Sequence, residues 1–166
     1  MMRNSGLFHP ICRLCPRQEG AAGVEFALLL PIILLLTFGI TEVGRLMLDY
    51  HAIEKSVRDA ARYLARTQDP EAAEANAKSI VLRGSLDGSG SLLLGYFTGT
   101  AESGSNSIVV TKRAIDNTAG DFRGAATLYA VEVTAVVPFN SILMSLLGLP
   151  ENIPLQVHHE QRYIGN

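Results

Sequence analysis

The chain contains few cysteines and no excess of positive charge, and each deficit excludes a class of structure or function. Its 166 residues include only two cysteines, Cys12 and Cys15, both upstream of the most hydrophobic stretch. The residues after that stretch therefore cannot form a disulfide with one another, and their fold must depend on packing alone. The formal net charge is −2, and no cluster of lysines and arginines compensates for it. We therefore predict no nucleic-acid partner.

The patterns typical of catalytic and metal sites are lacking as well. Neither a serine-hydrolase elbow nor a phosphate-binding glycine loop occurs at the spacing that its motif needs. His158 and His159 are neighbours on a predicted strand, where successive side chains point to opposite faces, so the pair cannot easily share one metal ion. His9, Cys12 and Cys15 offer three zinc ligands, one fewer than a structural site needs. The sequence thus predicts no enzyme activity, no metal and no cofactor.

One long uncharged run dominates the N-terminal third of the chain. Sixteen residues without a charge, FALLLPIILLLTFGIT, separate Glu25 from Glu42. Together with the small residues before them they form an apolar stretch of about twenty residues, which is enough for one bilayer crossing. A secretory signal peptide fits poorly, because the run is too long and no small-residue cleavage motif closes it. We predict a transmembrane helix over residues 21–41 and a separate domain over residues 42–166.

The residues after the run continue at helical spacing. Apolar side chains recur at steps of three and four from Val43 to Leu64, which places them on one face of a helix. The span and this amphipathic segment together predict one helix over residues 21–66. Its apolar face is open to two interpretations: a surface for a partner helix or, for the distal half especially, a face covered by the chain's own sheet. Pro31 lies inside the span, where it either permits local melting during assembly or is simply tolerated.

A second helix is predicted after the long one. Asp69 supplies a capping side chain, Pro70 suits the first helical position, and Glu71 adds an acid to the first turn. Gly84 is a suitable end, because glycine readily adopts the left-handed conformation that terminates many helices. A loop rich in glycine and serine follows, and its apolar island LLLGYF predicts one short strand at residues 92–97.

Three further segments predict a small sheet. β-branched content and partial alternation indicate strands at residues 108–115 and 127–137, joined by a hairpin loop at 116–124, and a last strand at 154–164. Residues 141–147 predict a short apolar helix or turn. The expected fold class is α+β, with a long N-terminal helix, transmembrane and then amphipathic, packed on a small, mainly antiparallel sheet.

The start of the uncharged run resembles a processing site. Gly20 is followed by four small or apolar residues, then by Glu25, Phe26 and the hydrophobic helix. This order resembles the site at which a membrane aspartic peptidase cuts type IV pilin-like proteins, after the glycine and on the cytoplasmic side. The segment VEFALLLPIILLLTFGITEVGRLML, followed by HAIEKSVRDAARYLAR, is similar to the TadE-like family, the pseudopilins of the tight-adherence (Tad) pilus machinery. The resemblance is strong over residues 17–66 and weaker over the C-terminal part.

The resemblance implies a role in pilus assembly at the bacterial inner membrane. It implies that prepilin peptidase cuts between Gly20 and Ala21, with Glu25 and Phe26 serving assembly or peptidase recognition. Residues 1–20 would then be a cytoplasmic leader, and the C-terminal domain would be periplasmic. The implied partners are the membrane, the peptidase, other pilin-like subunits and the inner-membrane pilus platform. A major pilin is disfavoured, because about one hundred residues follow the first helix.

Two questions remain open at this stage. Glu25 either pairs with the new amine at Ala21 of a neighbouring subunit, where it would fix the register, or lies at the headgroup level at little cost. The chain is either a processed pilus subunit or an uncleaved single-pass scaffold that recruits partners through its extracytoplasmic domain. Basic residues flank the span almost evenly, so charge does not fix the orientation, although a long C-terminal domain is compatible with a cytoplasmic N-terminus.

Overall fold

The computed structural model of the protein describes residues 19–120, 123 and 126–165. A long helix and a three-stranded antiparallel sheet give an α+β fold, as the sequence predicts. The elements in chain order are α1 (Glu19–Leu64), α2 (Glu74–Arg83), β1 (Ser107–Asp116), β2 (Thr127–Asn140), α3 (Ile142–Leu146) and β3 (Asn152–Arg162). The chain divides into two units, Met1–Phe38 and Gly39–Asn166, and α1 begins in the first and ends in the second.

The described part of the first unit is residues 19–38 of α1, which include most of the uncharged run that follows Glu25. Every side chain from residue 20 to residue 38 is exposed, including the leucines and isoleucines of the run. Pro31 lies inside the helix, which continues through it. Because so much contiguous apolar surface is not stable in water, this half of α1 requires lipid or other apolar helices around it.

In the second unit, the distal half of α1 forms one wall of the core. Ile53, Val57 and Leu64 are at most 1% exposed and belong to the same hydrophobic cluster as the inward side chains of the sheet. Val43 and Met47, on the same helix nearer the span, are more than half exposed. The interpretation that the chain covers its own distal helical face is therefore confirmed, whereas the described residues leave Val43 and Met47 more exposed than buried.

The sheet has β2 at its centre, with β1 and β3 paired antiparallel on either side. Alternate residues of β2 point into the core and are fully buried, which follows from the two-residue period of a strand. These residues are Val131, Val133, Ala135, Val137 and Phe139. All three predicted strands are confirmed: β1 and β2 are slightly longer than predicted, and β3 begins and ends two residues earlier. The short helix or turn predicted between β2 and β3 is present as the helix α3.

The predicted strand at residues 92–97 is wrong. Leu94 and Phe97 are both buried, and the Phe97 amide donates to the Leu94 carbonyl at 3.0 Å, which closes a turn. Side chains three positions apart cannot share one face of a strand, whereas a turn directs both into the core. The loop then approaches β1 closely at Gly99, where φ is +61° and a Cβ would lie 2.6 Å from Cδ1 of Ile108. Glycine is therefore required at this position.

The second helix begins later than predicted. The Asp69 carboxylate accepts hydrogen bonds from the amides of Glu71 and Ala72, at 3.0 and 3.3 Å, so it caps a turn before the helix. The α2 helix itself begins at Glu74. Its predicted end is confirmed, because Gly84 has φ 71° and its amide donates to the Ile80 carbonyl at 2.8 Å.

Candidate functional site

The four residues predicted for processing and recognition lie together at the start of α1. Gly20 and Ala21 are in the first turn of the helix, and Glu25 and Phe26 follow one turn later, all with exposed side chains. Residues four apart on a helix are neighbours on one face, so Glu25 lies above Ala21. Among the described residues, no atom outside the local helix backbone lies within 4 Å of a Cβ placed on Gly20. No described residue outside α1 therefore covers Gly20.

Glu25 is a carboxylate without a partner in the described part of the chain. No ion pair or side-chain hydrogen bond joins it to residues 19–120, 123 or 126–165. It is preceded by four small or apolar residues and followed directly by the uncharged run, so it is the one charge in residues 20–41. A carboxylate there can accept charge-assisted hydrogen bonds from a cationic group supplied by another molecule or by a new N-terminus.

A polar contact that the sequence did not predict ties α1 to the connection between β2 and β3. The Glu42 carboxylate accepts a hydrogen bond from the Ile142 amide at 2.9 Å and lies 3.7 Å from the Arg45 guanidinium. Arg45 in turn donates to the Asn140 carbonyl and stacks 5.0 Å above the Phe139 ring. The charged residues at positions 42 and 45 were visible in the sequence, but their partners are about a hundred residues away.

A second unpredicted contact holds the glycine-rich loop against α1. The Tyr96 hydroxyl donates to the Asp49 carboxylate at 2.6 Å. Partial burial, and then the hydrogen bond to Asp49, raise the pKa of the Tyr96 hydroxyl well above its ordinary value. The hydroxyl therefore stays protonated across the physiological range and remains a hydrogen-bond donor to Asp49.

The residues that sequence patterns offered as metal ligands do not assemble into a site in the described chain. His158 is exposed on β3, while His159 is half-buried on the opposite face, as expected for neighbours on a strand. Within the described residues, no group of three His, Cys, Asp or Glu side chains is placed to hold a metal ion. His9, Cys12 and Cys15 lie outside the described residues.

Comparison with known proteins places a family match on α1. The family model described as TadE-like protein matches residues 20–62, a segment that lies within α1 and contains all four predicted site residues. The resemblance to the TadE-like family is thus confirmed over these residues, and the match suggests a protein associated with a Tad pilus. Comparisons with curated proteins and with solved structures gave no match.

The same helix is long and apolar enough to cross a membrane. The candidate span lies within Gly20–Leu64 and reaches a mean hydropathy of 2.3 over its most apolar window, none of which is buried by the rest of the chain. A buried core helix would instead be covered by its own protein. Taken with the family match, the exposed apolar helix indicates a protein anchored in the membrane by a single span.

Proposed function

We propose that this protein is a pseudopilin of a Tad (type IVc) pilus, processed by prepilin peptidase after Gly20 and acting in pilus assembly for surface adherence. One observation carries the proposal: Gly20, Glu25 and Phe26 have the spacing of a pilin-like processing site, and they lie at the start of the family match over residues 20–62. Processing would release residues 1–20 as a leader and leave an apolar helix with a charged start.

The geometry of the segment supports processing. The bond between Gly20 and Ala21 lies in the first turn of α1, where helix ends open at little cost. Glycine also weakens a helix relative to other residues and leaves the backbone bare for a peptidase. The exposed run from residue 26 to residue 41 then supplies the surface through which other pilin-like subunits and the pilus platform of the inner membrane would be bound.

The proposal is tested by the intact mass of the protein extracted from membranes of its native host. We expect a chain that begins at Ala21, with the mass of residues 1–20 missing. Detection of Met1 or Met2 at the N-terminus of the assembled protein would contradict the proposal. That result, together with normal membrane insertion, would favour an uncleaved single-pass scaffold that recruits partners through the domain over residues 42–166.

The proposed orientation places the N-terminus in the cytoplasm, residues 21–41 in the inner membrane and residues 42–166 in the periplasm. A reporter that is active only outside the cytoplasm should therefore work when fused after Asn166, and a reporter that needs the cytoplasm should not. The two fusions control for each other, because both carry the same span. The opposite pattern would put Gly20 on the wrong side for the peptidase and would refute orientation and processing together.

A further inference from the structure

The connection between β2 and β3 exposes more apolar surface than is usual for a loop that faces water. The sequence contains no charged residue between Glu132 and Glu151. Four large aliphatic side chains of the connection are more than half exposed: Ile142 (65%), Leu146 (75%), Leu147 (53%) and Leu149 (51%). Loops normally present polar residues to water, and a contiguous apolar patch marks an interaction surface. We call residues 142–149 the apolar loop.

The apolar loop has a defined structure. Ser141 is buried, and its hydroxyl accepts a hydrogen bond from the Met144 amide at 3.2 Å, which caps α3. The Leu149 amide donates to the Met144 carbonyl at 2.9 Å, and Gly148 adopts the φ of 70° that the intervening turn needs. The Ser141 amide also donates to the Glu151 carbonyl at 2.9 Å, which closes the base of the loop. The fold itself therefore holds these aliphatic side chains outward.

The contacts of Glu42 and Arg45 fix where the apolar loop lies. Glu42 accepts a hydrogen bond from the amide of Ile142, the first residue of the loop, and Arg45 donates to the carbonyl of Asn140, the last residue of β2. Glu42 is the first charged residue after the uncharged run, so it marks the position at which a membrane-crossing α1 leaves the hydrocarbon layer. The apolar loop is thus held beside the residues of α1 that enter the interfacial layer of the bilayer.

We propose that the apolar loop inserts into the interfacial layer of the same bilayer that α1 crosses. Lipid is the occupant that this position favours, because Glu42, which binds the loop at the Ile142 amide, is the residue directly after the uncharged run of α1. Val43 and Met47 add further exposed apolar side chains close to Glu42 in the chain. The loop contains no lysine or arginine, so its insertion depends on burial of aliphatic side chains and not on attraction to anionic headgroups. The inference rests on membrane anchoring and is independent of processing.

The test measures the depth of nitroxide labels on the full-length chain in vesicles. Cys12→Ser and Cys15→Ser remove the native thiols, and single labels are then placed through Leu146→Cys, Leu36→Cys and Ser103→Cys. Oxygen concentrates in lipid and a nickel chelate in water, so the ratio of their collision rates with a label reports its depth. Leu36 represents the span, and Ser103 is an exposed residue of the loop before β1. The side chain of Leu146 is 75% exposed, so its replacement removes little packing.

We expect the oxygen-to-nickel ratio at position 146 to exceed the ratio at position 103 several-fold and to lie below the ratio at position 36. The ratio at position 146 should be the same in vesicles of phosphatidylcholine alone and in vesicles that also contain the anionic lipid phosphatidylglycerol. A ratio at position 146 equal to that at position 103 would overturn the inference. Shielding from both reagents, with dipolar broadening that disappears on dilution with unlabelled protein, would assign the loop to a second copy of the chain and would also overturn it.

Membrane anchoring is checked in the same experiment. A low ratio at position 36 would refute the anchoring of α1 and, with it, the insertion of the apolar loop. A high ratio at position 36 with a low one at position 146 would refute the insertion alone. The N-terminal mass proposed above is measured separately, so failure of processing is distinguishable from both outcomes.

Discussion

Gly20→Val should leave the full-length precursor as the predominant species in the membrane, whereas the unmodified protein should consist mainly of the chain that begins at Ala21. A peptidase must bind the backbone on both sides of the cleaved bond in an open conformation, and glycine presents that backbone without a side chain. Valine adds a branched side chain at the residue before the cut. Immunoblots of membrane fractions, with intact mass to identify each band, measure the ratio of precursor to processed chain.

The matched control is Gly39→Val, in the same helix. Among the described residues, neither glycine has an atom outside the local helix backbone within 4 Å of its Cβ position, so neither valine clashes with the fold. Valine is also at least as good a helix former as glycine, so α1 is not weakened in either variant. We expect normal processing of Gly39→Val. Equal processing of both variants would contradict cleavage after Gly20. An unmodified protein that is never shortened would instead favour an uncleaved membrane scaffold.

The sequence predicted the regular elements well where one pattern dominates over a long stretch. The uncharged run and the helical spacing after it define α1 to within two residues at each end. Alternation defines β2, because its inward valines must avoid water on one face only. These patterns are local, because each can be recognised from the order of apolar and polar residues within a single helix or strand.

The errors fall where long-range packing decides the local conformation. The segment at residues 92–97 has the composition of a strand, yet Leu94 and Phe97 both fill the core from a turn. An unpaired strand there would leave its backbone groups without partners, whereas the turn hydrogen-bonds within itself and lets Tyr96 reach Asp49. Composition alone could not distinguish the two, because the deciding contacts join residues that are far apart in the chain.

The placement of the four proposed site residues follows from the sequence for a different reason. Gly20, Ala21, Glu25 and Phe26 lie within two turns of one helix, so their spacing in the sequence also sets their spacing along the helix. The contacts of Glu42 and Arg45 with the apolar loop were not predictable in this way, because they depend on the path of β2 back to α1. Spacing along one helix can therefore be derived from the sequence, whereas the contacts between α1 and the end of β2 cannot.

Glu25→Ala should abolish assembly while leaving synthesis, membrane insertion and cleavage intact. The substitution makes the span more apolar, and it does not change Gly20 or Ala21. In the monomer, the new amine at Ala21 lies one helical turn from Glu25, and both groups can remain at the headgroup level in contact with water. In the assembly, the hypothesis pairs Glu25 with the Ala21 amine of a neighbouring subunit, between packed helices that exclude water. An amine left there without the Glu25 carboxylate costs about 3 to 5 kcal/mol. Crosslinking to other pilin-like subunits should therefore fall by about two orders of magnitude or more.

Two further variants separate the charge of Glu25 from its shape and from a general loss of negative charge. Glu25→Gln keeps the length of the side chain without the charge, so we expect it to fail in assembly as Glu25→Ala does. Glu102→Ala removes an exposed carboxylate from the loop before β1 and should assemble normally. If Glu25→Ala crosslinks normally and supports piliation, Glu25 is a headgroup-level residue without a role in docking. If Glu25→Ala is not cleaved, its role lies in recognition by the peptidase, because the carboxylate would then be needed before any neighbouring subunit is present.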